Sequence, residues 1–592
     1  MMERSPQPAA PLWQSLRKLI GLMTRRRKLQ LVALIGLMLI GALAEMATLG
    51  AVLPFLALLA GAHAGAFPLP GMSISLTVET ASLLFAAVAL SAAGVRIFVL
   101  WSGFRFTYGL GADLGSEVYR RTLYQPYSWH VGRNSSEILS GISKVNEVVT
   151  GIINPMMQGG VAALVSAGIA VMLLAIDARV AIAAMASMGF LYGVSTVIIR
   201  RRIRAYGRTV ADNATQRVKA VQEGLGGIRD VLLDGVQPIY HRRFAGFDRT
   251  MRNAQARINL CGNAPRYLVE AAGMVCIVAL AYWLSQRQGG LLGAIPLLGA
   301  LAIGAQRLLP QAQILYLSWS QVSSTRAQLE DVLQLATLPM PIARNPSIAA
   351  TAVPVANVPL IELRDVVFRY SADGVPVLDE VNLTIPRGSR VGIAGRTGSG
   401  KSTLVDLVMG LLEPTEGAIL VDGNRLDQRN CRHWQERIAH VPQSIFLSDT
   451  SIAENIAFGV PPDAIDMARV RKAATMAQAK EFIEALPDQY LTAVGERGVR
   501  LSGGQRQRLG LARALYKDVD VLVLDEATSA LDDATEAAVV RSIEALGGHI
   551  TVLMIAHRLS TLSNCDRMID FAACGPVIAC RPAILPGDIA NS

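Results

Sequence analysis

The chain changes its hydrophobic pattern part-way along. Up to about residue 320 the apolar positions form long unbroken runs, whereas residues 359–570 carry short apolar runs separated by turns and by positions at helical spacing. Leu29–Gly61 is one such long run, with Glu45 as its single charge. A membrane span needs roughly 20 apolar residues, so this stretch has length to tilt or protrude. Five further spans are predicted: Thr80–Trp101, one within Val148–Ile176, one within Val180–Ile199, Tyr267–Leu284 and Leu291–Leu317. Asp177–Arg179 reads as a tight outer turn, and Ala62–Glu79, which has no Lys or Arg, as an outer linker. Arg105–Asn146 and Arg200–Asn263 are long, polar and basic, yet keep helical spacing. They are expected to be helices protruding into the cytosol, with Tyr127–Ser136 and Val236–Phe244 as turns that touch the second half.

Thr337–Leu360 holds five prolines and reads as a linker. Beyond it, Ile361–Tyr370, Val381–Ile385, Val391–Ala394 and Val521–Leu524 have the apolar, β-branched character of strands. The expected fold class is an α-helical membrane domain of six spans followed by an α/β P-loop NTPase domain. The expected boundaries are 1–28 for a cytosolic segment, 29–336 for the membrane domain, 337–358 for the linker, 359–575 for the nucleotide-binding domain and 576–592 for a tail.

Composition agrees with that division, at 52% hydrophobic and only 17% charged residues over 592 positions. The net charge of +10 raises nucleic acid as a partner. The arginines argue otherwise. They cluster beside spans, at Arg25–Lys28 and Arg200–Arg204, as the positive-inside rule expects of cytoplasmic loops. Membrane lipid is the expected partner and nucleic acid is not. Six cysteines form no C-x-x-C pair, which favours free thiols in a reducing compartment over disulfides or zinc.

The chemistry centres on Arg390–Thr403, RVGIAGRTGSGKST. Gly395 to Ser402 fits G-x-x-x-x-G-K-[ST], the phosphate-binding loop, and sits in the strand–loop–helix context the motif requires. Gly395, Gly398 and Gly400 let the backbone turn its N–H groups onto a polyphosphate, together with Ser399, and the helix opening at Lys401–Thr403 adds its positive end. Lys401 would reach the β- and γ-phosphates and Ser402 would bind Mg²⁺. Downstream, the strand Val521–Leu524 ends in Asp525 and Glu526. Neighbouring strand residues point oppositely, so the two acids would divide the work. Asp525 would hold Mg²⁺, and Glu526 would orient or deprotonate the attacking water.

LSGGQ at 501–505, followed by QRLGLARAL and VLVLDEATSALD, resembles the ATP-binding cassette (ABC) transporter family. That resemblance implies further roles. Tyr370 matches the aromatic that stacks on adenine. Gln443 matches the glutamine that contacts Mg²⁺ and senses the γ-phosphate. Glu496 matches a loop that communicates with the membrane domain, and His557 the histidine that contacts the γ-phosphate. In the family the signature, here Ser502, Gly503, Gly504 and Gln505, closes over the phosphate loop of a second cassette. Each chain carries one of each, so the resemblance implies a dimer, and the intact Glu526 favours a homodimer. The order of spans and then cassette looks like an exporter. The expected cofactors are ATP and Mg²⁺, and the expected activity is ATP hydrolysis coupled to transport across a bacterial inner membrane, with the cassette in the cytosol.

Tyr124–Leu139, Gln306–Tyr316 and the acid in the first span resemble the branch that includes lipid-linked oligosaccharide flippases. Glu45, Arg96 and Arg307 are the charges inside spans and are the candidate substrate residues. At 1.5 Å per residue, both arginines lie about 22–24 Å from the outer ends of their spans. Glu45, counted from the inside, lies past the midplane, so no Arg–Glu pairing is expected. The arginines would instead receive a lipid phosphate or pyrophosphate. The predicted function is export or flipping of an amphipathic substrate, a lipid-linked oligosaccharide. Export of another lipid, drug or peptide, or an ATP-gated channel or regulator, are the alternatives.

Overall fold

A computed structural model describes residues 11–59, 78–176, 178–285, 290–340, 358–371, 373–527, 532–544, 549–555, 565–571 and 584–585. Two units emerge: Met1–Gln125 with Trp129–Pro341, and Pro126–Ser128 with Ile342–Ser592.

Among its described residues the first unit is built of helices joined by short turns. Its elements are α1 (Leu12–Leu22), α2 (Arg25–Leu59), α3 (Val78–Leu123), α4 (Tyr127–Val131), α5 (Ser135–Val148), α6 (Asn154–Ile176), α7 (Ala178–Gly226), α8 (Ile228–Leu233), α9 (Gln237–Ser285), α10 (Gly290–Ser324) and α11 (Arg326–Ala336). Arg25–Thr48, Glu79–Leu123 and Ser135–Leu174 are long and apolar enough among the described residues to cross a membrane. The other three expected spans lie within α7, α9 and α10. Several helices run far past their apolar stretches. At 1.5 Å per residue the 46 residues of α3 make a rod of roughly 70 Å, more than twice a hydrocarbon core of about 30 Å. The polar segments therefore continue the spanning helices. Val236–Phe244 lies almost wholly at the start of α9, and the bend itself falls just before it, at Gly235, which has φ 63°.

A five-residue π-helical turn, Val149–Ile153, joins α5 to α6, and Val149, Ile152 and Ile153 are buried there. Leu110, Val118, Val148, Leu329, Val332 and Ala336 close one core between α3, α5 and α11. Polar contacts of the buried Lys144 tie the same region. Lys144 Nζ donates to Asp331 Oδ2 at 2.6 Å and to Thr215 Oγ1 at 3.0 Å, linking α5 to α11 and α7.

The second unit has two sheets. One is antiparallel, in the order β2–β1–β4–β5, formed by β1 (Ile361–Phe368), β2 (Leu378–Ile385), β4 (Glu416–Val421) and β5 (Asn424–Arg425). The other runs β10–β9–β3–β8–β7–β6, with β3 (Arg390–Ala394), β6 (Ile438–Val441), β7 (Val521–Asp525), β8 (Thr551–Ile555), β9 (Arg567–Asp570) and β10 (Ile584–Leu585). Its five longer strands are parallel, and their near-continuous apolar sequences suit a sheet covered on both faces. On one face lie β1, β2 and the helix α12 (Lys401–Val408), packed through Leu363, Ile385, Leu404 and Leu407. On the other lies a helical layer containing α17 (Gly503–Tyr516), with Leu509, Leu511 and Ala512 against Leu522 and Leu524. Between α12 and α17 in the chain come α13 (Cys431–Glu436), α14 (Ile452–Ile456), α15 (Met467–Met476) and α16 (Lys480–Glu484), and α18 (Asp533–Glu544) follows β7.

Candidate functional site

In an open parallel sheet the ligand crevice lies at the carboxyl ends of the strands. Here that edge collects the expected ATP residues. The phosphate loop follows β3, Gln443 follows β6, and Asp525 and Glu526 end β7. Strand β8 lies between β3 and β7. His557, two residues past β8 in sequence, lies outside the described residues.

The loop has the backbone its glycines suggest. Gly395, Gly398 and Gly400 take φ of 147°, 82° and 96°, and Gly400 forms the left-handed N-cap of α12. A Cβ on Gly395 would lie 2.7 Å from that of Phe571, so the position is closed to other residues by space as well as by conformation. Lys401 is 7% exposed, and its Nζ donates to the carbonyls of Gly395 and Arg396 at 2.7 and 2.9 Å. The ammonium is thus held inside the curve of the loop. Tyr370 is 58% exposed and packs edge-on against Phe368. Its hydroxyl lies 3.1 Å from Thr403 Oγ1, which fixes the ring beside the start of α12.

The two acids leave the strand in different directions, though not through strand alternation. Strand β7 ends at Asp525, and Glu526 turns into the left-handed region at φ 49°. Its N–H still donates to Ile555 O at 3.0 Å, so the sheet pins the kink while the side chain leaves the strand direction. Gln443 Nε2 donates to Glu526 Oε2 at 2.6 Å. A third carboxylate, Asp406 on α12, was not anticipated. Burial, with the charge of Asp525 adding to it, pushes its pKa up to about 6. No motif marks Asp406; the only available signal was its place one turn beyond Ser402 on the helix that opens the site. Ser402, Gln443 and Asp525 each offer an oxygen donor, a chemistry that would fit a hard cation such as Mg²⁺.

The signature segment is a helix N-terminus. Ser502 caps α17, its Oγ accepting from Gln505 N at 3.2 Å while Gln505 Oε1 accepts from Ser502 N at 2.9 Å. This reciprocal capping box ties down the Ser502 and Gln505 side chains around a glycine pair, whose backbone can approach an anion closely. Further along α17, Arg513 donates to Asn455 O at 2.8 Å and to Phe446 O at 2.9 Å, and lies over the Phe458 ring at 4.5 Å. It therefore ties the helix after the signature to the segment just beyond Gln443.

In the helical unit the structure overturns one expectation. Glu45 pairs with both arginines: Arg307 Nη1 lies 3.0 Å from Glu45 Oε1, and Arg96 Nη2 bonds to Glu45 Oε2. Residue counting misplaced the charges because it started each helix at a membrane surface. The helices carrying them overrun their apolar stretches, so the ends of those stretches do not mark a common level. The Glu45 side chain is 10% exposed, whereas those of Arg96 and Arg307 are 45% and 47% exposed. One buried carboxylate on α2 thus draws two guanidinium groups, from α3 and α10, to one place and leaves both partly open.

Comparison with known proteins is consistent with this architecture. Residues 41–290 match the ABC transporter transmembrane region and residues 378–529 the ABC transporter family model. The chain is 31% identical over 77% of its length to an ATP-dependent lipid A-core flippase of Ralstonia nicotianae, covering 76% of that protein. It is 36% identical over 64% of its length to the heterocyst differentiation ATP-binding protein HepA of a Nostoc species, covering 60% of it. A bacterial Atm1-family ABC exporter, solved with ATP bound, shares the fold at TM-score 0.74 and 24% identity, with 92% of this chain and 93% of that one covered.

Proposed function

The chain belongs to the ABC exporter family, and from that premise we propose that it flips a lipid-linked oligosaccharide across the bacterial inner membrane. The protein is an integral membrane ATPase that couples ATP hydrolysis to transport. Within that activity, the substrate class is our reading. It is carried by one observation: two half-open arginines held by a single buried carboxylate inside the spanning helices. Guanidinium forks match phosphate and pyrophosphate geometry, and a lipid-linked glycan brings such a group into the membrane. The flippase name borne by the Ralstonia relative supports an amphipathic glycolipid as cargo.

The proposed active unit is a homodimer, because each chain carries one phosphate loop and one signature segment. The cassette, over residues 359–575, lies in the cytosol. Mg²⁺, held by Ser402, Gln443 and Asp525, would neutralise phosphate charge. Lys401 and the loop N–H groups hold the β- and γ-phosphates, and Tyr370 stacks on adenine. Glu526, oriented by Gln443, takes the proton of the attacking water, and His557 contacts the γ-phosphate. The signature residues Ser502 to Gln505 of one copy close on the loop of the other. Closure would be passed through the turns near Tyr127 and Gly235 and the loop at Glu496.

The test uses purified full-length protein in liposomes, wild type beside Glu526→Gln. ATPase activity is read against lipid-linked glycans, phospholipids, drugs and peptides. Stimulation by the glycans alone, absent in the variant, supports the proposal. Stimulation by drugs or phospholipids instead overturns the substrate assignment, and ATP-dependent conductance without accumulation would make the protein a channel.

A further inference from the structure

A second arginine cluster lies away from Glu45, where α7 meets the junction of α10 and α11. A cavity of about 250 Å³ opens there, lined by Arg204, Arg208, Ser323, Ser324, Arg326 and Glu330 among others. The helices meet at Gly207: a Cβ added there would lie 2.0 Å from Ser324 O, so α7 and the end of α10 are in backbone contact. Arg204 and Arg208 are one helical turn apart and flank that contact on the same face of α7. Arg326 opens α11 from across the junction, its Nε donating to Glu330 Oε1 at 3.0 Å.

The charge balance is unequal. Three guanidinium groups meet one carboxylate among the described lining residues, and that carboxylate is engaged by Arg326. Burial, and the neighbouring charges of Arg200 and Arg326, hold the pKa of Arg204 below its ordinary value. Arg204 nevertheless stays protonated, because a guanidinium does not lose its proton in proteins. The lining residues thus carry two excess positive charges beside serines, just past the fourth apolar span, while outside the lining Asp212 interacts with Arg208 and Arg200 with Arg204. Its volume is below the roughly 300–1,000 Å³ of drug-sized ligand pockets, so it suits a headgroup and not acyl chains.

We propose that this cavity binds a phosphate-type anion carrying about two negative charges, a phosphomonoester or diphosphate. A phosphomonoester carries about −1.5 to −2 at neutral pH, which matches the excess charge, and its oxygens suit converging guanidinium forks. The site is separate from the Glu45 cluster and does not depend on the flippase assignment, because binding is read without transport.

The test is native mass spectrometry of the full-length protein, titrated with short-chain phosphatidic acid, inorganic pyrophosphate or phosphatidylcholine. The variants are Arg204→Gln/Arg208→Gln, Arg208→Gln alone, and Arg200→Gln as a control outside the cavity. The double variant should bind phosphatidic acid or pyrophosphate at least about tenfold more weakly, since a hydrogen bond to a charged group contributes about 1.5–3 kcal/mol. Arg208→Gln should be intermediate, Arg200→Gln close to wild type, and phosphatidylcholine should not saturate the site. Saturation by phosphatidic acid but not pyrophosphate identifies a membrane headgroup as the source, and equal binding of both identifies a soluble phosphate. Equal affinity in wild type and the double variant overturns the proposal. So does a loss in Arg200→Gln as large as that in Arg208→Gln, because it would reduce the effect to general basic charge. Should the double variant not fold, Arg208→Gln beside Arg200→Gln decides the matter in the same way.

Discussion

Gln443 Nε2 lies 2.6 Å from Glu526 Oε2, so the residue that follows β6 orients the acid that follows β7. The contact joins the ends of neighbouring strands, and in the proposed mechanism Glu526 is the proton-handling group and Gln443 the group that positions it. Glu526→Gln should keep ATP binding while lowering kcat by about 10²–10⁴-fold, the range of general-base contributions. Gln443→Ala should lower kcat less, because the base remains but loses its orientation. Single-turnover hydrolysis together with nucleotide binding reads both effects. Full turnover in Glu526→Gln would remove that residue from the proposed role.

Tyr370 makes a prediction of its own, because its hydroxyl and its ring face different tasks. The hydroxyl bonds to Thr403, and the exposed ring is free to stack. Base–aromatic stacking contributes about 1–3 kcal/mol, so Tyr370→Ala should weaken ATP binding by about 5–150-fold. Tyr370→Phe should retain most of the affinity. Inorganic triphosphate, which has no base, should bind wild type and Tyr370→Ala equally. An equal loss for both ligands would make Tyr370 a packing residue.

The strand–loop–helix and the signature helix start of the candidate ATP site were legible in the sequence because they are local. The phosphate loop is one contiguous strand–loop–helix, and the signature is one helix start, so spacing alone places their groups. What escaped was tertiary. Glu45 meets Arg96 and Arg307 only because three helices pack together, and a count along each helix measures depth from its own end. Asp406 carries no motif, and its burial depends on the sheet beneath it. Arg513 lies inside a recognisable stretch, yet its partners Phe446 and Asn455 are more than 50 residues away in the chain. The kink at Glu526 was hidden for another reason. Period-2 reasoning assumes the strand continues, and here it stops one residue earlier.

Arg513 should behave as a tie between the two ends of the helical layer. Arg513→Ala leaves the Phe446 and Asn455 carbonyls without its N–H groups. Losing a partner of a buried polar group costs about 1–3 kcal/mol, so thermal unfolding of the purified protein should shift down. Arg513→Lys should recover part of the loss, since an ammonium can reach one carbonyl but cannot reproduce the fork. An Arg513→Ala protein with unchanged unfolding and unchanged ATPase activity would rule out this role.

Glu45 competes with substrate for the arginines if they receive a phosphate. Glu45→Gln would remove the competing charge while keeping the side-chain volume. The concentration of anionic lipid-linked glycan giving half-maximal ATPase stimulation should then fall several-fold. Maximal stimulation should also fall, because release would lose the returning carboxylate. Arg96→Ala and Arg307→Ala should each raise the half-maximal concentration. Identical curves for wild type and all three variants, in folded protein, would exclude the cluster from substrate binding.

Asp406 gives a pH prediction whose sign follows from its surroundings. Its pKa is pushed up from 3.8 to about 6 in the folded protein by burial and by Asp525. Between those values the folded state holds the proton more tightly than the unfolded chain, so the contribution of this group to stability falls as pH rises. Below that window Asp406 is neutral in both states and costs nothing. Above it, the folded protein carries the full penalty of a half-buried carboxylate. Asp406→Asn should therefore raise the thermal midpoint of nucleotide-free protein at pH 8, and raise it by clearly less at pH 4.5, which lies low in that window. Mg²⁺–ATP should shrink the gain at pH 8, because a cation near Asp525 stabilises the ionised carboxylate. A stabilisation equal at both pH values would assign the effect to packing, and destabilisation at pH 8 would mean that the charged Asp406 has a partner that outweighs its burial.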